Sequence, residues 1–126
     1  MTNDLYLKEE CFKIIGICME VHRLLGKGHS EAVYGDAIEY ELELNNIPYE
    51  REKQYKIQYK DITLRRFYIS DFTLFGEIIL EIKAIQELKS GEIKQTLNYL
   101  AASKNKLGLL VNFGEDSLKY KRIILW

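Results

Sequence analysis

The chain is poor in most of the features that mark specialised protein classes. Proline occurs once in 126 residues, at Pro48, and cysteine twice, at Cys11 and Cys18. Two cysteines seven apart on an apolar helical stripe read as buried thiols of a reducing compartment before they read as a disulfide or a metal pair. Histidine is equally scarce. His22 and His29 lack the spacing of a zinc helix of the H-E-x-x-H type and have no second ligand pair nearby, so a structural role is expected for both. Gly26 and Gly28 follow a helix, without the further glycines and lysine-threonine ending of a phosphate loop, which makes them a C-cap and a tight turn. No apolar run approaches the roughly 18 residues of a membrane span, and MTNDLYLKEE has no apolar core of the signal-peptide type, so a cytoplasmic protein with no membrane partner is expected. Excess charge is missing too. Eighteen basic against nineteen acidic residues leave a net charge of −1, which excludes a strongly basic DNA-coating protein and makes any attraction to nucleic acid a local matter. Repeats, linkers and low-complexity tracts are absent, and 126 residues that are 47% hydrophobic suit one domain over 1–126 with one core.

What is present is an α-α-β-β-β-α-β order. Leu7, Cys11, Ile14, Cys18, Val21 and Leu25 recur at three- and four-residue steps, which predicts an amphipathic helix from about 5 to 25 ended by Gly26-Lys27-Gly28. Ser30 caps a second helix to about Asn45, with Val33, Ala37, Tyr40 and Leu44 expected inward. Residues 49–59, 62–74 and 77–84 are expected to form a three-strand meander, the first pair joined at Lys60-Asp61. Ser90-Gly91 opens a third helix to about Lys104. Leu107 to Phe113 is a compact apolar run suited to a buried strand, and Leu118 to Trp126 a last strand or extended tail.

The most informative stretch is ISDFTLFGEIILEIKA. Asp71 and Glu81 lie ten apart, Lys83 follows two later, and Gly76 sits midway, where a hairpin loop needs positive φ. A turn centred on Gly76 opposes position 71 to position 81. Directly opposed residues have Cβ atoms roughly 4.5–5.5 Å apart, where like charges destabilise the sheet, so something must offset the repulsion. Period-two alternation puts Ile79, Glu81 and Lys83 on one face and Ile78, Leu80 and Ile82 on the other. Two carboxylates and an ammonium then converge as hard oxygen ligands for a divalent cation with a lysine beside them. D…E-x-K strings also occur by chance. Here the charges interrupt strands of central, doubly covered character, and buried charges need partners or a metal.

With these residues the chain resembles the PD-(D/E)XK nuclease superfamily, and within it the small branch of GxxExxY proteins. Gly28-His29-Ser30-Glu31-Ala32-Val33-Tyr34 supplies the G-x-x-E-x-x-Y string, and the resemblance runs from about Ile15 to Ile124 through EVHRLLGKGHSEAVY, the D…EIKA segment and GLLVNFG. It implies a restriction-endonuclease-like α/β core, a mixed sheet flanked by helices. It also implies Mg²⁺ or Mn²⁺ held by Asp71, Glu81 and a backbone carbonyl, that of Ile82, with Glu31 reaching the ion directly or through water. Lys83 would orient the attacking water or offset developing charge. Gln95 and Tyr99 would be the Q-x-x-x-Y pair of RecB-like members, Gln95 orienting phosphate, and Tyr34 and Tyr99 would flank the substrate. Away from the resemblance, Glu31 can complement the dipole of the second helix, Tyr99 can be core and Gln95 solvated. Two positions depart from the pattern: Ser70 stands where proline can precede the aspartate, and Ile69 where relatives of this branch often carry arginine, a loss of a phosphate-contacting cation.

Basic residues cluster in Arg51, Lys53, Lys56, Lys60, Arg65 and Arg66, and again in Lys119, Lys121 and Arg122. Each cluster reads first as a solvated strand face. Interleaved Tyr55, Tyr59, Phe67 and Tyr120 could instead stack on unpaired bases while the cations meet phosphate. The expectation is a metal-dependent nuclease acting on nucleic acid, DNA before RNA. The alternatives are a non-catalytic binding module of the same fold and a dimerisation module using the first helix and the tail, and a homodimer is compatible with cleavage.

Overall fold

The structure is a computed structural model that describes residues 6–125. The expected helix start at residue 5 and the Trp126 end of the tail fall outside the described residues. The order is α1 (Lys8–Leu25), α2 (Glu31–Leu44), β1 (Tyr49–Arg51), β2 (Gln54–Tyr59), β3 (Ile62–Ile69), β4 (Phe72–Leu74), β5 (Ile78–Lys83), α3 (Ser90–Ser103), β6 (Leu107–Asn112) and β7 (Lys119–Ile124). Among the described residues no helix is long and apolar enough to cross a membrane.

Helix α1 buries the expected stripe, with Cys11, Ile14, Cys18 and Val21 in the core. Both cysteines are free, and burial pushes the Cys18 thiol up to about 12. Gly26, at φ 68°, ends the helix by donating its N–H to the carbonyl of His22 at 2.8 Å, the positive φ being the reason glycine stands there. Ser30 caps α2 by accepting from the Val33 N–H at 3.3 Å. The inward face of α2 differs from expectation. Tyr34, Ile38 and Leu42 are fully buried, whereas Val33, Tyr40 and Leu44 are 39%, 62% and 59% exposed. The true stripe lies one residue round the helix, because Tyr34 can be buried once its hydroxyl finds a carbonyl partner.

The sheet has the order β1-β4-β5-β6-β7, antiparallel except for the parallel pair β5–β6 that α3 connects. Alternation sorts its two faces. Phe72, Leu74, Ile78, Leu80, Ile82, Leu109 and Val111 pack on α1 and α2. Ile79, Leu110 and Ile123 face Leu97 and Leu100 of α3. This is the mixed α/β sheet flanked by helices that the sequence implied.

The expected meander is interrupted. The segments 49–59 and 62–74 each break in two: β1 and β4 belong to the main sheet, while among the described residues β2 and β3 pair only with each other. The hairpin stays in register across the break, through Arg51↔Phe72 and Gln54↔Ile69, and is bridged there by Glu52 N–H to Asp71 O at 3.0 Å and Ser70 N–H to Lys53 O at 2.9 Å. Glu52 adopts φ 57°, the left-handed conformation that turns the strand. The β2–β3 ribbon thus leaves the sheet at Asp71.

Candidate active site

β4 and β5 are joined through Phe75 and Gly76, both at positive φ (54° and 70°), with Glu77 N–H donating to Leu74 O at 3.0 Å. This is the tight loop that the glycine announced. The pairing Phe72↔Leu80 makes Asp71 and Glu81 the next rung, yet Asp71 lies beyond the last ladder residue, and its carboxylate has turned. Oδ2 of Asp71 accepts from the Ile82 N–H at 2.7 Å, and Oε2 of Glu81 accepts from the Asp71 N–H at 3.1 Å. Glu81 is buried, and its Oε2 also accepts from the Tyr68 hydroxyl at 2.8 Å. The repulsion of an opposed pair is therefore offset by main-chain and phenol donors.

Those donors do not cancel the burial. Burial first, then the charge of Asp71, pushes the Glu81 carboxyl up to about 7, against the lowering effect of the bonds from Tyr68 and Asp71. Asp71 is raised too, by burial and by the charge of Glu31, while the bond from Ile82 and the charges of Lys83 and Arg51 pull it down. Neither carboxylate has a cation within ion-pair distance among the described residues. Each keeps one oxygen without a protein partner, Asp71 Oδ1 and Glu81 Oε1, and neither atom is among the sealed, unpartnered ones. Two partly desolvated carboxylates with one open oxygen apiece are a donor set that suits a hard divalent cation. No three His, Cys, Asp or Glu side chains among the described residues are gathered closely enough to hold an ion by themselves.

Asp71, Ile82 and Glu31 line one cleft of about 200 Å³, with Arg51 in its wall. Glu31 is therefore brought to the site but not into contact with the other two acids. Lys83, on the same face of β5 as Glu81, donates to Gln95 Oε1 of α3 at 3.4 Å, so these two predicted residues meet.

A sequence model of the PD-(D/E)XK nuclease superfamily matches residues 8–123. The chain belongs to that superfamily. Nucleases of the PD-(D/E)XK kind are generally dependent on divalent metal, in accord with the two open carboxylate oxygens. Among solved structures the chain is similar to one titled "Crystal structure of SSO0001", at 20% identity and a TM-score of 0.59, over 74% of this chain and 48% of that one. The chain thus spans about half the length of that structure, and the likeness is one of fold. No curated protein matches significantly.

Two predicted residues of this PD-(D/E)XK chain lie elsewhere than expected. Tyr34 does not flank the cleft: it has no exposed surface, stacks on Phe113 with centroids 4.4 Å apart, and donates to the Gly26 carbonyl at 2.6 Å. Packing in the core, not access to a ligand, accounts for it. Tyr99 stacks on Tyr68 at 3.9 Å, so it backs the phenol that holds Glu81. Tyr68 itself was missed, and so was the role of Arg51, which bonds Asp36 at 2.8 Å and Glu39 at 2.9 Å and lies 5.4 Å from the Phe72 ring centroid. Gly35 makes room for it, since a Cβ there would lie 2.6 Å from the Arg51 guanidinium. The alternation that pairs Tyr68 with Ser70 on one face was the available signal for the first; Arg51 had none beyond its charge.

Proposed function

We propose that this chain is a divalent-metal-dependent nuclease of the GxxExxY branch, one cytoplasmic domain that hydrolyses phosphodiester bonds of nucleic acid, DNA before RNA. The observation that carries the reading is the pair Asp71 and Glu81, desolvated, without a cation in contact, and each with an oxygen open. Those oxygens and the Ile82 carbonyl would hold Mg²⁺ or Mn²⁺. Such an ion supplies an activated water and neutralises charge on the scissile phosphate. Glu31 would act from across the cleft through a water molecule. Lys83, held by Gln95, would orient the attacking water or offset charge building on the phosphate. Tyr68 and Tyr99 are positioning residues that fix the Glu81 carboxylate.

A binding module of the same fold is the second reading, favoured by the firm hold of Tyr68 and the Asp71 N–H on Glu81. Incubation with labelled single- and double-stranded DNA and RNA in Mg²⁺, Mn²⁺ or EDTA separates the two. Metal-dependent product that disappears in Glu81→Gln supports the nuclease, and no product anywhere in the panel supports the module.

A further inference from the structure

Charge is unevenly distributed in this chain. Residues 53–69, the β2–β3 ribbon with the one residue that leads into it, carry Lys53, Lys56, Lys60, Arg65 and Arg66 against the single acid Asp61, a net charge of +4; since the whole chain carries −1, the rest carries −5. Among the described residues the ribbon pairs with no other strand, and residues 58–67 are all exposed. Of its five cations only Lys53 has an acidic partner among the described residues, Glu50 at 3.1 Å. Tyr55 and Tyr68 turn one face of the ribbon base toward Tyr99 of α3. Lys56, its partner Phe67 and Arg65 therefore occupy the other face, which none of the described residues covers.

We infer that the β2–β3 ribbon is the surface by which this nuclease grips duplex DNA, lying in the major groove with its cations on the flanking phosphates. The inference rests on the nuclease reading above. Charge complementarity selects the occupant: two ribbons of +4 repel each other, whereas a polyanion is attracted here and repelled by the −5 body. Width selects the duplex, because the major groove of B-DNA, about 12 Å across, admits a two-stranded β-ribbon, and that of A-form RNA is too narrow. Reach is sufficient, as the eight residues of β3 extend roughly 27 Å at about 3.4 Å each. Position completes the case. The ribbon joins the sheet at Asp71, so a duplex held along it lies beside the cleft that Asp71 lines.

Anisotropy of a labelled DNA duplex titrated in EDTA tests binding without cleavage. K56Q/R65Q should weaken binding roughly tenfold or more and lower the slope of log affinity against log salt by about 2, near 0.9 per lost phosphate contact. K119Q/K121Q, on β7 at the far edge of the sheet, should change neither. K60Q, in the exposed turn of the ribbon, repeats the test at an independent position, with a slope change of about 1, should the first pair fold poorly. Equal losses in the ribbon and β7 variants, or equal losses on duplex RNA and duplex DNA, overturn the inference. Wild-type cleavage of duplex DNA that ribbon variants reproduce with unchanged KM overturns it while leaving the nuclease reading intact. Ribbon-dependent binding by a wild type that cleaves nothing supports the grip and removes the nuclease.

Discussion

Burial holds the Glu81 carboxyl near pH 7, which gives the metal-free protein a defined pH dependence. A carboxyl raised in the fold binds its proton more tightly there than in the unfolded chain, so its contribution is complete below the ordinary carboxylate range and is lost as pH rises through about 7. Asp71 is raised in the same direction. Melts in EDTA should therefore show stability falling between about pH 5 and 8, by roughly 3 kcal/mol for Glu81 at about 1.36 kcal/mol for each tenfold gain in proton affinity, and Glu81→Gln should flatten the curve. A wild-type profile that is already flat contradicts this burial. Lys83 makes a separate prediction. Because its ammonium bonds Gln95 and not a carboxylate, Lys83→Met should abolish cleavage while metal affinity, measured by titration calorimetry, stays within about tenfold, or 1.4 kcal/mol. The adjacency of Asp71 and Glu81 was legible in the sequence because ten-residue spacing about Gly76 dictates a register. Alternation places Tyr68 on a face with Ser70, but nothing local aims its hydroxyl at Glu81, because the departure of the ribbon from the sheet at Asp71 is a tertiary event.

Helix limits followed the caps closely, Ser30 at one end and Gly26 at another, because capping is local chemistry. The break in the hairpin is different. Glu52 carries the positive φ that bends it, yet glutamate is no turn residue, and the residue types of 62–74 are those of an unbroken strand although the chain breaks at 70–71. Tyr34 illustrates the same limit, its hydroxyl spanning from α2 to Gly26 and accepting from the His29 N–H at 3.3 Å. Tyr34→Phe should lower stability by roughly 1 kcal/mol in denaturant titrations and leave cleavage unchanged; lost activity in a stable variant would return Tyr34 to the site. After β6 the chain presses on the segment that follows Lys83. Asn112 accepts from the Ile85 N–H at 3.0 Å and donates to the Ile85 carbonyl at 2.9 Å, and a Cβ on Gly114 would fall 2.1 Å from that carbonyl oxygen. Gly114→Ala should accordingly destabilise by roughly 4 kcal/mol or more, read as a collapse of the melting temperature.

For the molecule as a whole, the three helices and the order of the segments gave the layers, while two of the expected strands each split in two; the parallel pairing of β5 with β6 depends on where α3 returns the chain. Net charge misled in a similar way. The value of −1 averages a +4 ribbon against a −5 body, and a sum erases geometry. Separated charges of opposite sign form an electric dipole, and a dipole near a polyanion experiences a torque as well as a force. The protein is therefore turned, ribbon foremost, before any contact is made, within a distance set by a Debye length of about 8 Å at physiological salt. Orientation at encounter is written into the placement of five side chains, and added salt should slow the association step as well as loosen the complex.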